Sequence, residues 1–173
     1  MKKIFAICGS TKASSTNLLY IAAITKLLGT GYEVVTLSSI ADLPHFTPDL
    51  DTDDAPQSVL QLRKNINLAD GILICTPEYA MGLPGSLKNV LDWTVSSASF
   101  SKKPVLAIVA SSQGEKAYQS LIDVLTVIEA KVFPLLVPFA KAKITPEASI
   151  TDLATLSAIE ATLKQFVASL SNE

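Results

Sequence analysis

Three short polar stretches hold the residues of this chain that could do chemistry. The first is CGSTKASSTN, Cys8–Asn17, between the apolar run KIFAI and the helix-period run LLYIAAITKLL. It offers hydroxyls at Ser10, Thr11, Ser14, Ser15 and Thr16, one cation at Lys12 and one amide at Asn17. The first-turn N–H groups of a helix lack internal partners, and the helix dipole favours an anion beside them. One cation among many neutral donors suits a monophosphate. The same residues also make an ordinary Ser/Thr N-cap, and the spacing fits both. It does not fit G-x-x-x-x-G-K-[ST] or G-x-G-x-x-G, so neither a Walker lysine with Mg²⁺ nor a dinucleotide fingerprint is expected.

The second stretch is TPEYAMGLPG, Thr76–Gly85. Pro77 and Tyr79 could wall a slot for a flat ring, with Met81 at its edge. Glu78 is either a general acid or base or an exposed loop carboxylate. Asp92 and Trp93, on the helix that follows, suit capping, packing or a subunit contact. The third stretch is SSQG, Ser111–Gly114. Its hydroxyls and Gln113 could meet the other side of a ligand, with Gly114 allowing close backbone approach, or it is another helix N-terminus. Cys8 and Cys75 are the only cysteines and His45 the only histidine. They form neither a disulfide framework nor a metal set, and no His partners a thiol for nucleophilic work. There is no G-x-S-x-G elbow.

The elements that must position these stretches alternate along the chain. KIFAIC (3–8), YEVVTL (32–37), GILICT (71–76), PVLAIVA (104–110) and KVFPLLVPF (131–139) read as strands. Helices are expected from Ser15 to about Leu28, from Pro56 to about Leu68, over GSLKNVLDW, from Glu115 to Ala130 and from about Thr151 to Ser169. The first would bury Leu18, Leu19, Ala22, Ala23 and Leu27, and Pro56 would sit in the first turn of the second. The segment 38–54, marked by Pro44, Pro48 and the aspartates Asp49, Asp51, Asp53 and Asp54, reads as an exposed loop. Pro134 inside the fifth strand argues for an edge or a bend. Five strands alternating with five helices give an α/β, doubly wound parallel sheet, expected in the order 2-1-3-4-5. Its ligand crevice lies at the carboxyl ends of strands 1, 3 and 4, which brings the three polar stretches to one rim.

Bulk properties agree. A chain of 173 residues suits one domain, 1–173, and the high apolar fraction of 49% fits strands buried on both faces. No apolar run approaches the roughly 18 residues of a membrane span. The N-terminal run is too short for a signal peptide, which makes the cytoplasm the expected location. A net charge of −2 gives no reason to expect nucleic acid or an anionic membrane as partner.

The residues also resemble a known family. Gly9-Ser10-Thr11-Lys12-Ala13-Ser14-Ser15-Thr16-Asn17 is similar to the G-S-x-R-x-x-S-x-N signature of the NADPH-dependent FMN reductases. Thr76-Pro77-Glu78-Tyr79-Ala80, then Pro84-Gly85-Ser86-Leu87-Lys88-Asn89 and Asp92-Trp93, resembles that family's T-P-E-Y-N … P-G-x-L-K-N-x-x-D-W. The resemblance implies a flavodoxin-like fold, bound FMN, and two-electron transfer from NADPH or NADH to a quinone, azo dye, flavin or similar small-molecule acceptor. By matching position it implies that Ser10, Lys12, Ser15, Thr16 and Asn17 hold the FMN phosphate. Pro77, Glu78, Tyr79 and Ala80 would border the isoalloxazine, and Ser111 and Gly114 would approach from the third loop. It further implies a homodimer or homotetramer, with the helix carrying Lys88 and Trp93 near the subunit contact.

The chain departs from the pattern at three places. Lys12 replaces an Arg, keeping the charge but losing the bidentate fork. Ala80 replaces an Asn, and Gly114-Glu115 replaces Gly-Gly, setting a carboxylate near the expected ring site. The rival expectations are a flavodoxin-like one-electron carrier, and a member that has lost FMN.

Overall fold

The computed structural model describes residues 1–170. Five strands, β1 (Lys2–Cys8), β2 (Tyr32–Thr36), β3 (Gly71–Thr76), β4 (Pro104–Ala110) and β5 (Lys131–Val137), form one sheet in the order β2-β1-β3-β4-β5. Every pairing is parallel. This is the flavodoxin-like doubly wound sheet expected from the alternation of runs. Five helices complete it: α1 (Thr16–Leu28), α2 (Gln57–Leu68), α3 (Gly85–Asp92), α4 (Glu115–Val127) and α5 (Leu153–Leu170). Among the described residues, no helix is long and apolar enough to cross a membrane.

The three inner strands explain the high apolar content. β3 and β4 are buried at every position. Their side chains alternate between two cores, because successive strand residues face opposite ways. Phe5, Ile7, Ile72, Ile74, Val105, Ala107 and Val109 pack against α2, α3 and α4. Ile4, Ala6, Cys8, Leu73, Cys75, Leu106 and Ile108 pack against α1 and α5. Both edge strands are only half-covered, and Pro134 lies on the β5 edge opposite Ala107.

Several local expectations are corrected. The face that α1 buries is Tyr20, Ile21, Ala23 and Ile24, while Ala22 and Leu27 are exposed. This helix is apolar nearly all round, so its periodicity leaves the buried side undecided. Pro56 is the residue before α2, in extended backbone, and not part of its first turn. Helix α4 ends at Val127, three residues before the expected Ala130, and the backbone turns at Glu129 (φ 61°) to start β5.

The segment 38–54 is not a plain exposed loop. Ile40 and Leu43 are buried, and Phe46 stacks edge-on against Trp93 with centroids 5.1 Å apart. The Pro44 carbonyl accepts from Asn89 Nδ2 at 3.0 Å and from Trp93 Nε1 at 2.7 Å, and Phe46 N donates to Asn89 Oδ1 at 2.7 Å. Asp51 pairs with Arg63, whose Nε also donates to the Trp93 carbonyl at 2.9 Å. Trp93 is therefore fully enclosed and cannot itself touch another subunit. The aspartates advertised solvent, but the apolar Ile40, Leu43 and Phe46 ahead of them decide where the segment lies.

Candidate ligand site at the switch-point rim

The carboxyl ends of β1, β3 and β4 lie together because β1 and β3 are neighbours that lead outward to opposite edges of the sheet. Such a switch point opens a crevice. Here it opens a cavity of about 670 Å³, within the usual range for a small-molecule site of roughly 300–1,000 Å³. Eight of the eleven residues expected to bind a cofactor line it: Ser10, Lys12, Ser15, Thr16, Asn17, Pro77, Tyr79 and Ser111.

One end of the cavity is the N-terminus of α1. Ser15 is its N-cap, and its Oγ accepts from Asn17 N at 3.2 Å. Asn17 is 3% exposed, and its Oδ1 accepts from the Cys75 thiol at 3.2 Å. That bond fixes the side chain's orientation. It leaves the amide N–H groups without a partner among the described residues, at the cavity wall. Burial pushes the Cys75 thiol well up, so it stays protonated and able to donate. Cys8 is its direct neighbour across the β1–β3 ladder, and burial raises its thiol too. Both are packing residues beneath the site, as small apolar strand-end residues should be. The backbone above them runs close. A Cβ on Gly9 would lie 2.1 Å from Thr76 Oγ1, so only glycine lets the first loop leave the sheet here.

The β3 loop meets the other two. Tyr79 OH lies 3.2 Å from Ser10 Oγ, which also accepts from Lys12 N at 3.3 Å. Glu78 N donates to Ser111 Oγ at 3.2 Å. Tyr79 and Gly82 close a tight antiparallel turn whose central residues, Ala80 and Met81, both have positive φ.

Three expected site residues sit outside the cavity lining. The Glu78 carboxylate accepts from the backbone N–H groups of Lys116 and Ala117, at 2.9 and 3.0 Å. It caps α4, where an anion is favoured by the helix dipole, and is not placed as an acid or base. Ala80 is exposed at the turn tip. Gly114 is buried at φ 107°, 2.9 Å (as a built Cβ) from Leu136, and shapes the start of α4. Glu115 is exposed in the first turn of α4 and also lies outside the lining, so no carboxylate faces the expected ring position from there.

The cavity has a fourth wall, which begins where β5 stops at Val137, two residues short of the expected strand end at Phe139. Phe139, Ala140, Lys141 and Ala142, after β5, line it. The turn is held by Phe139 N to Ser112 O at 3.1 Å and Ala140 N to Ser111 O at 3.0 Å. Tyr20 OH donates to Ala140 O at 3.0 Å, tying the turn to α1. The legible signal was positional: a strand end of the same sheet, followed by an aromatic and a lysine. Lys141 gives the cavity a second cation beside Lys12.

Comparison with known proteins agrees with this architecture. The family described as NADPH-dependent FMN reductase matches residues 2–143. A quinone reductase of Escherichia coli K12 is 36% identical over 115 residues, covering 65% of this chain and 61% of that protein. An NAD(P)H-dependent FMN reductase of Pseudomonas aeruginosa is 32% identical over 114 residues, with 65% and 60% coverage. These matches span about three fifths of the relatives' own length. Among solved structures, FerB of Paracoccus denitrificans, a flavoenzyme NAD(P)H:(acceptor) oxidoreductase, superposes with a TM-score of 0.84 at 27% identity. The superposition covers 99% of this chain and 98% of that one.

Proposed function

The chain belongs to the NADPH-dependent FMN reductase family, and from that premise we propose that it binds FMN in the rim cavity and works as an NAD(P)H oxidoreductase on quinone-like acceptors. The observation that carries this reading is the convergence of the β1, β3 and β4 loops on one cavity with a helix N-terminus at its end.

The residues present fit the group. Asn17, nearly fully buried, has its amide oxygen occupied and its N–H groups free for an anion. Ser10, Ser15 and Thr16 add hydroxyls, the α1 dipole adds its positive end, and Lys12 and Lys141 add charge sufficient for a phosphate dianion. Pro77, Tyr79 and Ser111 flank the space beyond, where a planar ring would lie. Bound FMN would supply hydride exchange between the nicotinamide donor and the acceptor. The chain's own work is then binding, orientation and exclusion of water. Glu78, Ser111 and the start of α4 fasten the ring-side loops to each other, so the slot is held before any ligand arrives.

The same reading takes the protein as a homo-oligomer, with contacts drawn from exposed residues on and after α3 such as Lys88 and Val95. Two free buried thiols on adjacent strands suit a reducing compartment such as the cytoplasm.

Anaerobic stopped-flow spectroscopy tests the proposal. Protein incubated with FMN and desalted should be yellow, bleach on mixing with NADPH and recover its colour with a quinone. A colourless protein after FMN addition defeats the proposal. Bleaching only through a partner reductase would mark a one-electron carrier.

A further inference from the structure

Phe139 is a large apolar residue in an unusual place. It is 66% exposed, yet its backbone is left-handed, at φ 54° and ψ 34°. A bulky side chain at positive φ is an outlier that persists only where surrounding structure over-determines it, and such outliers gather at functional sites. The bonds that over-determine it are clear. Its N–H is held by Ser112 O, the next N–H by Ser111 O, and its own carbonyl accepts from Ala142 N at 3.0 Å. The conformation is not needed to bury the ring, because the ring is not buried. What it does is place Phe139 in the wall of the same cavity that Tyr79 lines from the β3 loop.

We propose that Phe139 is a specificity-determining platform: its ring holds the flat, conjugated second substrate at the mouth of the cavity. This rests on the flavin reading above. The shared chemistry is a planar ring with an exposed π-face, which a nicotinamide donor and a quinone acceptor both offer. Aromatic pairs gain beyond simple area burial, and the hydrogen-bonded turn fixes the backbone that carries the ring at the cavity wall.

The test uses FMN-loaded protein, with flavin uptake first measured by visible absorbance for each variant. Wild type, Phe139→Asn and Phe139→Trp are titrated by calorimetry with naphthalene-2-carboxamide, a flat, redox-inert probe. KM is measured in parallel for NADPH, a naphthoquinone and ferricyanide, an octahedral complex with no flat face. Asn tolerates the left-handed region, so the backbone is kept. The expected result is about fivefold weaker probe binding in Phe139→Asn, the scale of one aromatic stack, restored by Phe139→Trp. The naphthoquinone or NADPH KM should rise by about the same factor relative to that for ferricyanide. A rise with the quinone alone assigns the platform to the acceptor, and with NADPH alone to the donor. The Tm should not fall, whereas a ring kept for packing would lower it. Equal probe binding in wild type and Phe139→Asn, with FMN taken up by both, overturns the role of Phe139 and leaves the flavin reading standing. Failure of wild type to take up FMN overturns both.

Discussion

Glu78 accepts a hydrogen bond from the backbone N–H of Ala117, 39 positions further along the chain, at 3.0 Å. The same carboxylate oxygen takes the Lys116 N–H at 2.9 Å, and the Glu78 N–H is given to Ser111. One residue of the β3 loop thus fastens both ends of the β4–α4 connection. The family motif places a Glu here, and in this chain the geometry assigns its side chain to holding the slot in shape.

Replacing Glu78 by Ala should therefore act first on stability. Losing a cap that satisfies two helix N–H groups costs about 1–2 kcal/mol. In a domain of this size that lowers Tm by about 2–8 °C. FMN affinity should fall with it, while Glu78→Gln keeps an acceptor oxygen and most of the stability. Thermal denaturation and flavin titration of the two variants check this. A large loss of rate with unchanged Tm would instead mark Glu78 as an acid or base.

Lys12→Ala should weaken FMN binding by about tenfold, the scale of one charge-assisted hydrogen bond. Lys12 is solvent-exposed, so its share of the affinity should shrink as salt rises. The titration is run at low and high ionic strength. Unchanged affinity at low salt would mean that Asn17, the hydroxyls and the α1 N-terminus hold the phosphate alone.

Asp51 gives a pH signature. The Arg63 guanidinium and then the Ser96 hydroxyl hold its carboxyl below the usual carboxylate range. A depressed folded pKa stabilises the fold above the unfolded value, about 3.9, and that contribution is lost as the pH falls through the folded value. Asp51→Asn should have a lower Tm than wild type at neutral pH, with the gap closing as the pH drops below about 3.9. A gap that is constant down to acid pH would show that the pair contributes by packing and not by charge.

Gly9→Ala should be severely destabilising, because its Cβ would lie 2.1 Å from Thr76 Oγ1 and 2.5 Å from Thr76 Cβ. Thr76 is the fully buried last residue of the inner strand β3, where nothing can move aside cheaply. The expected loss is about 3 kcal/mol, or roughly 6–12 °C in Tm. Gly82→Ala, with open space around it, is the control and should change Tm by little. Comparable losses at both positions would show that close approach is not the reason for glycine at 9.

The sequence by itself determined the architecture, and with it the place of the site. Continuous apolar runs such as Gly71–Thr76 and Pro104–Ala110 can be satisfied only by a sheet covered on both faces, and the strand bounds follow from that burial. Alternation with helices then brought Ser10, Pro77 and Ser111 to one rim. Tertiary structure decided matters that depend on partners distant in the chain. The buried face of α1 was undecided because nearly every side of it is apolar, and α5 and the inner strands made the choice. The segment 38–54 was drawn inward by Trp93 and Asn89, more than 40 residues away. Glu78 became a cap and not a wall only because α4 starts beside it. Phe139 entered the cavity through hydrogen bonds to Ser111 and Ser112, which no local pattern around Phe139 encodes. Periodicity reports the average environment of an element, and it is silent on which particular atoms will satisfy one another across it.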